Sequence, residues 1–171
     1  LDETRAELGE GPIWDARRGE LLWVDILHAK VITSSYSIVN RYSDECFSQV
    51  FSFNPTTGVN TEHDLSKHSR HVTTIVPCAH HASATIVTTT EGLARFDLQS
   101  GEVVQHHSNG SLHSKFTRMN DGKADPQGRM WFGSVAKESW EPLAPTIKGG
   151  SSLYVLDSWD GVPTKVVHNV T

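Results

Sequence analysis

The sequence predicts an all-β fold built from repeated antiparallel hairpins. Helical periodicity is weak throughout, and stretches such as ATIVTTT at residues 84–90 are rich in β-branched residues that suit a pleated surface. Turn glycines also recur along the chain, because Gly58, Gly101 and Gly161 lie 43 and 60 residues apart. The first spacing matches one four-stranded propeller blade of about 40–50 residues. We therefore expect about three blades of an incomplete β-propeller.

Two kinds of hairpin make up these repeats. The first kind occurs as GPIWDARRGELLWVDI from Gly11 and as GKADPQGRMWFGSV from Gly122, each with an Asp, a turn glycine and then a Trp. The second kind occurs as VFSFNPTTGV, LARFDLQSGEV and LYVLDSWDGVP. In these, Asn54, Asp97 or Asp157 opens a turn, and the glycine four residues later is expected to need a positive φ.

Residues 32–50 break the repeat pattern. Their removal would leave HAKVFSFNPTTG, a continuous strand that matches the other repeats better. We therefore interpret residues 1–171 as the N-terminal portion of a single propeller domain with an insertion at 32–50. The insertion is either a surface loop or an unspliced intron or annotation error, and sequencing of the mature transcript decides between them.

Composition gives no reason to expect nucleic acid or a membrane as partner. The formal net charge is −5, with 15 basic and 20 acidic residues, and no apolar run approaches the length of a membrane span. The first ten residues are charged and carry no secretory-type apolar core. Cys46 and Cys78 are far apart and fit reduced thiols, so a cytoplasmic location is expected.

Three polar features could carry chemistry. Glu10 lies between two glycines that leave it unshielded, which suits either a ligand of a hard metal ion or a solvated loop carboxylate. The segment RMNDGK places Arg118, Asn120 and Asp121 within four residues, as in a substrate site or an ordinary Asp-Gly turn. Glu138 follows a strand in a polar stretch and by itself indicates a surface residue.

Together, LGEGPIWD, the LLWVDI that follows it, and RMNDGKADPQGRMWFGS resemble the regucalcin and gluconolactonase family (senescence marker protein-like). The resemblance covers most of the chain except the insertion and the poorly patterned residues 66–83. It implies a six-bladed propeller that holds one divalent cation, Ca²⁺, Zn²⁺, Mn²⁺ or Mg²⁺, in its central channel. It also implies the hydrolysis of sugar lactones such as gluconolactone.

Carried over by position, the resemblance makes Glu10 a metal ligand and makes Arg118, Asn120 and Glu138 substrate-binding residues. Asp121 is expected to organise its loop. The family's other ligands, an Asn in an Asn-Gly-Leu motif and an Asp that also serves as the base, are expected beyond Thr171. Residues 1–171 expressed alone are accordingly expected to be poorly soluble and inactive.

Two other functions compete with the lactonase. A non-enzymatic calcium-binding regulatory protein of the same fold would use the same cation site, so the sequence does not separate it from the enzyme. A propeller used as a binding scaffold is the other candidate, since fold does not dictate function. The presence of Glu10, Arg118 and Asn120 together argues against a scaffold, which has no need of that set.

Overall fold

The fold was obtained as a computed structural model, which describes residues 6, 8–26, 48–90, 92–107, 112, 117–136 and 150–170. Within these ranges every regular element is a strand, and the strands form three four-stranded sheets. The strands are β1 Gly9–Asp15, β2 Glu20–Asp25, β3 Gln49–Asn54, β4 Val59–Asp64, β5 Val72–Pro77, β6 Ala84–Thr89, β7 Gly92–Asp97, β8 Val103–His107, β9 Thr117–Ala124, β10 Met130–Ala136, β11 Ser151–Leu156 and β12 Thr164–Val170. No helix among the described residues is long and apolar enough to cross a membrane.

Each sheet is a blade of four consecutive antiparallel strands. The orders are β1-β2-β3-β4, β5-β6-β7-β8 and β9-β10-β11-β12. The blades meet through their first strands, because β5 packs against β1 and β2 on one side and against β9 on the other. Strands β1, β5 and β9 are therefore the inner strands, and β4, β8 and β12 lie at the outer edges. This arrangement confirms the predicted all-β fold with three blades of an incomplete propeller.

Two hydrophobic cores fill the spaces between neighbouring blades. The first joins blade 1 to blade 2, and the second joins blade 2 to blade 3. The first includes Leu22, Val24, Val50, Val72, Ile75, Val87 and Phe96. The second includes Val76, Leu93, Met119, Met130, Phe132, Tyr154 and Leu156. Blade 2 is consequently covered on both faces, which holds its inner strand firmly between the other two.

The hairpin turns follow the sequence expectation in two blades and depart from it in the third. Gly58 and Gly101 adopt φ values of 72° and 73°, and each amide donates to the carbonyl four residues earlier. Gly161 was expected to do the same, but that prediction is wrong: its φ is not in the positive region. The Gly161 amide instead donates to Ser158 O at 2.9 Å, which closes a tighter turn that needs no left-handed residue.

The predicted insertion falls between the second and third strands of blade 1. The described residues stop at Ile26 and resume at Ser48, so most of the predicted 32–50 segment, with Cys46, lies outside them. The last two residues of that segment, Gln49 and Val50, begin β3 and pair with Asp25 and Val24 of β2. The connection therefore joins adjacent strands of one sheet, and its origin as loop or sequence artefact stays a prediction.

Asp97 at the end of β7 makes the fold sensitive to acid. A hydrogen bond from the Ser83 hydroxyl, together with those from the Ser100 and Gln99 amides, lowers the pKa of Asp97 to about 2. A carboxylate with a depressed pKa stabilises the fold above its ordinary pKa, and this stabilisation is lost as the pH falls through the folded-state value. The loss should therefore run from about pH 4 down to about pH 2.

We expect Asp97→Asn to flatten this part of the stability profile. At pH 7 the melting temperature should fall by about 2–4 °C, because a neutral amide oxygen accepts these hydrogen bonds more weakly than the carboxylate does. Between pH 4 and pH 2 the variant should lose less stability than the wild type, as measured by thermal unfolding of the full-length gene product. Asp157→Asn, in the corresponding turn of blade 3, is the control. An Asp97→Asn profile as steep as that of the wild type would contradict this account.

Candidate functional site

Each inner strand carries one residue more than the strand segment that it pairs with. In β1, Gly11 and Pro12 lie opposite a single residue of β2, and in β9, Asn120 and Asp121 lie opposite a single residue of β10. In β5, Thr73 has no residue opposite it in β6. We call these three places the inner bulges. A β-bulge redirects side chains and is common next to active sites. The inner bulges therefore mark the candidate site, at the edge of each blade that faces the propeller axis.

Glu10 immediately precedes the first inner bulge. It pairs with Val24 of β2, and the chain then turns at Gly11, whose φ is 59°. The Glu10 side chain is exposed, and among the described residues no group makes a hydrogen bond or ion pair with its carboxylate. The glycine that follows it is thus used for a backbone turn, and the carboxylate is available to bind a ligand from this inner strand.

Arg118 and Asn120 are joined directly in β9. The Arg118 Nη1 donates to Asn120 Oδ1 at 2.9 Å and to Met119 O at 3.0 Å. The Arg118 residue is only 4% exposed, and this burial lowers the pKa of its guanidinium to about 10. That value still leaves the group charged at neutral pH. A charged donor therefore holds the Asn120 side chain from one side.

This contact occupies one of the two lone pairs on the Asn120 amide oxygen. Its oxygen accepts from Arg118, so the amide nitrogen presents its two N–H donors elsewhere. An Asn side chain can offer its oxygen to a cation or its N–H donors to a sugar. The geometry favours the donor role. Arg118 thus has Asn120 as a direct partner, and the substrate-binding role expected of Arg118 stays a prediction.

Asp121 ends the third inner bulge, and Gly122 follows it. The exposed Asp121 carboxylate accepts from the Gly122 amide at 2.7 Å, a local contact of the kind expected for a residue that organises its loop. A Cβ on Gly122 would lie 2.9 Å from both Phe132 Cβ and Trp131 O. Glycine is therefore needed here because β10 approaches closely, which explains why the Asp-Gly pair sits at this point of the strand.

The Asp residues shared by the repeats are structural. Asp125 comes directly after β9, and its carboxylate accepts from Arg129 Nε at 2.7 Å and from Trp131 Nε1 at 3.0 Å. Asp15 is the last residue of β1 and holds Arg17 at 3.1 Å. Arg17 also donates to the carbonyls of Cys78 and His81 in blade 2. The repeated Asp thus fixes the hairpin, and in blade 1 it also connects two blades.

Sequence reasoning missed the contribution of β5. This strand lies in residues 66–83, which carry no recognisable pattern because five of its six residues are buried and no alternation remains. Its Thr74 hydroxyl donates to Gly122 O at 3.3 Å. A Cβ on Gly11 would lie 3.3 Å from that same oxygen, Thr74 Oγ1. The consecutive threonines were the one available signal, and the Thr74 side chain lies between the first and third inner bulges.

The described residues include one candidate cation ligand. A calcium ion takes about six to eight oxygen ligands, and exposed carboxylates are typical ones. Glu10 fits as one such ligand. Across the described ranges, however, no three His, Cys, Asp or Glu residues lie close enough together to hold an ion. Glu138, the other acidic residue that the sequence singled out, lies outside the described residues.

Radial blades with polar residues on their inner strands define a partial β-propeller with a candidate site facing its axis. The chain belongs to the SMP-30/gluconolactonase/LRE-like family, whose model matches residues 8–171. This match also covers β5, which the motifs had left outside the resemblance. The membership agrees with the family expected from LGEGPIWD and RMNDGKADPQGRMWFGS.

Relatives of known name and structure share this fold over nearly the whole chain. A Bacillus subtilis (strain 168) protein named "Putative sugar lactone lactonase YvrE" is 28% identical over 99% of this chain and 47% of its own length. Regucalcin of Agrobacterium tumefaciens strain C58, described as a calcium-binding protein, is 23% identical and superposes with a TM-score of 0.70, covering 99% of this chain and 46% of its own. A luciferin-regenerating enzyme is 24% identical with the same TM-score, covering 99% and 48%. The chain thus spans about half the length of these relatives.

Proposed function

We propose that the full-length gene product hydrolyses sugar lactones in a reaction that requires one divalent cation, Ca²⁺, Zn²⁺, Mn²⁺ or Mg²⁺. The observation that carries the proposal is the Arg118–Asn120 pair, a hydrogen-bond donor group held at 2.9 Å by a buried guanidinium on an inner strand. The exposed carboxylate of Glu10, beside the corresponding bulge of another inner strand, supports it. Family membership and the name of the Bacillus relative point to the same chemistry.

Each residue has a defined task in this proposal. Glu10 contributes one oxygen ligand to the cation, which when bound supplies Lewis-acid polarisation of the lactone carbonyl. The Asn120 amide donates a hydrogen bond to a sugar hydroxyl, and Arg118 keeps that amide in one orientation. Glu138 contacts the substrate as a second polar group. The general base that takes a proton from the attacking water is not assigned to any of residues 1–171.

Positioning of the sugar is therefore the main contribution of residues 1–171 to catalysis. Holding reactants in a productive geometry can lower a barrier by up to about 7–11 kcal/mol in ideal cases. The substrate in this proposal is a small molecule, with no nucleic acid or membrane involved. The reducing, cytoplasmic setting expected from the two cysteines is part of the same proposal.

A direct lactonase assay tests the proposal. The purified full-length gene product is treated with EDTA, and hydrolysis of gluconolactone is followed by a pH indicator before and after Ca²⁺, Mn²⁺, Zn²⁺ or Mg²⁺ is restored. We expect turnover to disappear with EDTA and to return with at least one cation. The polypeptide of residues 1–171 alone is the comparison and should show no turnover.

The same assay separates the competing function. A calcium-binding regulatory protein would bind Ca²⁺ in a titration but would hydrolyse none of a panel of aldonolactones with any of the four cations. That outcome would remove the enzyme proposal and favour the regulator, as the description of the Agrobacterium structural relative would allow.

A further inference from the structure

Two buried threonines of blade 2 reach across to the third inner bulge. Thr74 in β5 donates to Gly122 O at 3.3 Å, and Thr88 in β6 donates to Asn120 O at 3.4 Å. The accepting carbonyls lie on either side of Asp121. Thr74 and Thr88 are 1% and 0% exposed. Because both side chains are buried, their hydroxyls need hydrogen-bond partners within the protein. Each donates to a backbone carbonyl of β9.

A third threonine lies within hydrogen-bond distance of Thr88. Thr73 is the extra residue of the β5 bulge, and its Oγ1 lies 2.7 Å from Thr88 Oγ1. Each hydroxyl has a single proton to donate. Either hydroxyl can donate across this contact, and when Thr73 donates to Thr88 Oγ1 the Thr88 proton is left for Asn120 O. The bulge of β5 is thus connected to the bulge of β9 through a chain of two hydroxyls.

We propose that Thr74 and Thr88 are positioning residues of the lactone site, an inference that rests on the function proposed above. Asn120 is held at two points: Arg118 holds its side-chain oxygen, and Thr88 holds its carbonyl oxygen. Thr74 holds Gly122, the residue after the third inner bulge, and its hydroxyl would lie 3.3 Å from a Cβ placed on Gly11, so it also borders the segment beside Glu10. Strand β5 therefore sets the spacing between the first inner bulge, beside Glu10, and the third inner bulge, at Asn120.

Valine and serine substitutions separate this role from simple packing. Thr88→Val and Thr74→Val keep the shape but remove the hydroxyl, whereas Thr88→Ser and Thr74→Ser keep the hydroxyl. In the full-length gene product, each valine variant should raise the KM for the lactone about fivefold, the effect of one lost hydrogen bond, with kcat changed by less than about twofold. Each serine variant should return the KM to within about twofold of the wild type.

Thr85→Val is the matched control. Thr85 is also a buried threonine of β6, but its hydroxyl donates to Phe96 O at 3.0 Å within blade 2 and does not reach β9. Thr85→Val should lower the melting temperature without moving the KM. If it raises the KM as much as Thr88→Val does, or if the serine variants fail to restore it, the positioning role is wrong.

Hydrogen exchange of the backbone tests the same inference without using activity. Amides of residues 117–124 should exchange about fivefold faster in Thr88→Val and Thr74→Val, and at the wild-type rate in Thr85→Val. If the wild type hydrolyses no lactone but this exchange pattern is observed, the proposed function is wrong, whereas the positioning of the third inner bulge by Thr74 and Thr88 is confirmed. Unchanged exchange in both valine variants overturns the inference, whatever the activity.

Discussion

Glu10→Gln is expected to lower kcat/KM for lactone hydrolysis by about 100-fold or more at a fixed cation concentration. The physical reason is that a neutral amide oxygen binds a hard divalent cation much more weakly than a carboxylate does. Even residues that only support metal ligands typically contribute about 10–100-fold to metal affinity or activity. Initial rates of the full-length gene product, measured across a series of Ca²⁺ or Mn²⁺ concentrations, should show the cation dependence shifted to higher concentration.

The matched control for Glu10→Gln is Glu102→Gln. Glu102 is also an exposed glutamate, but it lies in the β7–β8 turn, away from the inner strands. Its substitution should leave the rate and the cation dependence within about twofold of the wild type, since an isolated surface charge has little effect on a distant site. Equal activity of Glu10→Gln and wild type at limiting cation would remove Glu10 from the metal site.

Arg118→Met is expected to reduce kcat/KM by about 10- to 100-fold while the protein stays folded. Methionine fills much of the buried volume, but it cannot donate to Asn120 Oδ1, so the amide loses its fixed orientation. A small misplacement of a substrate-positioning group can cost about 100-fold in rate. Replacement of a buried charged group by a well-packed apolar one is often tolerated in stability. In this variant, the rate should therefore fall while the melting temperature stays close to that of the wild type.

Arg95→Met serves as its control. The Arg95 guanidinium lies over the Trp159 ring, 5.9 Å from the ring centroid, and β7 is not an inner strand. This variant should retain wild-type kinetics. If Arg118→Met lowers the melting temperature and the rate together, or if Arg95→Met is equally slow, then Arg118 is a structural residue of the blade and not a support for Asn120.

The sequence predicted the architecture because the turns carry strong local signals. Asn54, Asp97 and the glycines that follow them close hairpins through contacts within five residues, which a linear pattern can show. The prediction for the turn at Gly161 was wrong because it also relied on local spacing. Its Asp157 and Gly161 have the same spacing, but the chain there closes on Ser158, a choice between two local hydrogen bonds that spacing alone does not reveal.

The candidate site was only partly predictable. Glu10, Arg118 and Asn120 stood out through short motifs, and the structure joins the last two directly. The roles of Thr74 and Thr88 depend on contacts between strands of different blades, separated by 48 and 32 residues in the chain. Such contacts leave no period in the sequence, and β5 looked unpatterned because both of its faces are covered. The roles of the site residues in lactone hydrolysis stay predictions.

In the proposed function, Glu10 and Asn120 act at one cation-containing site on the propeller axis. A crystal structure of the full-length gene product with Ca²⁺ and a non-hydrolysable sugar analogue tests it most directly. We predict a Glu10 carboxylate oxygen within about 2.6 Å of the ion, and the Asn120 amide nitrogen within about 3.2 Å of a hydroxyl of the same sugar. An ion bound elsewhere, or Glu10 and Asn120 on opposite surfaces of the propeller, would contradict the account.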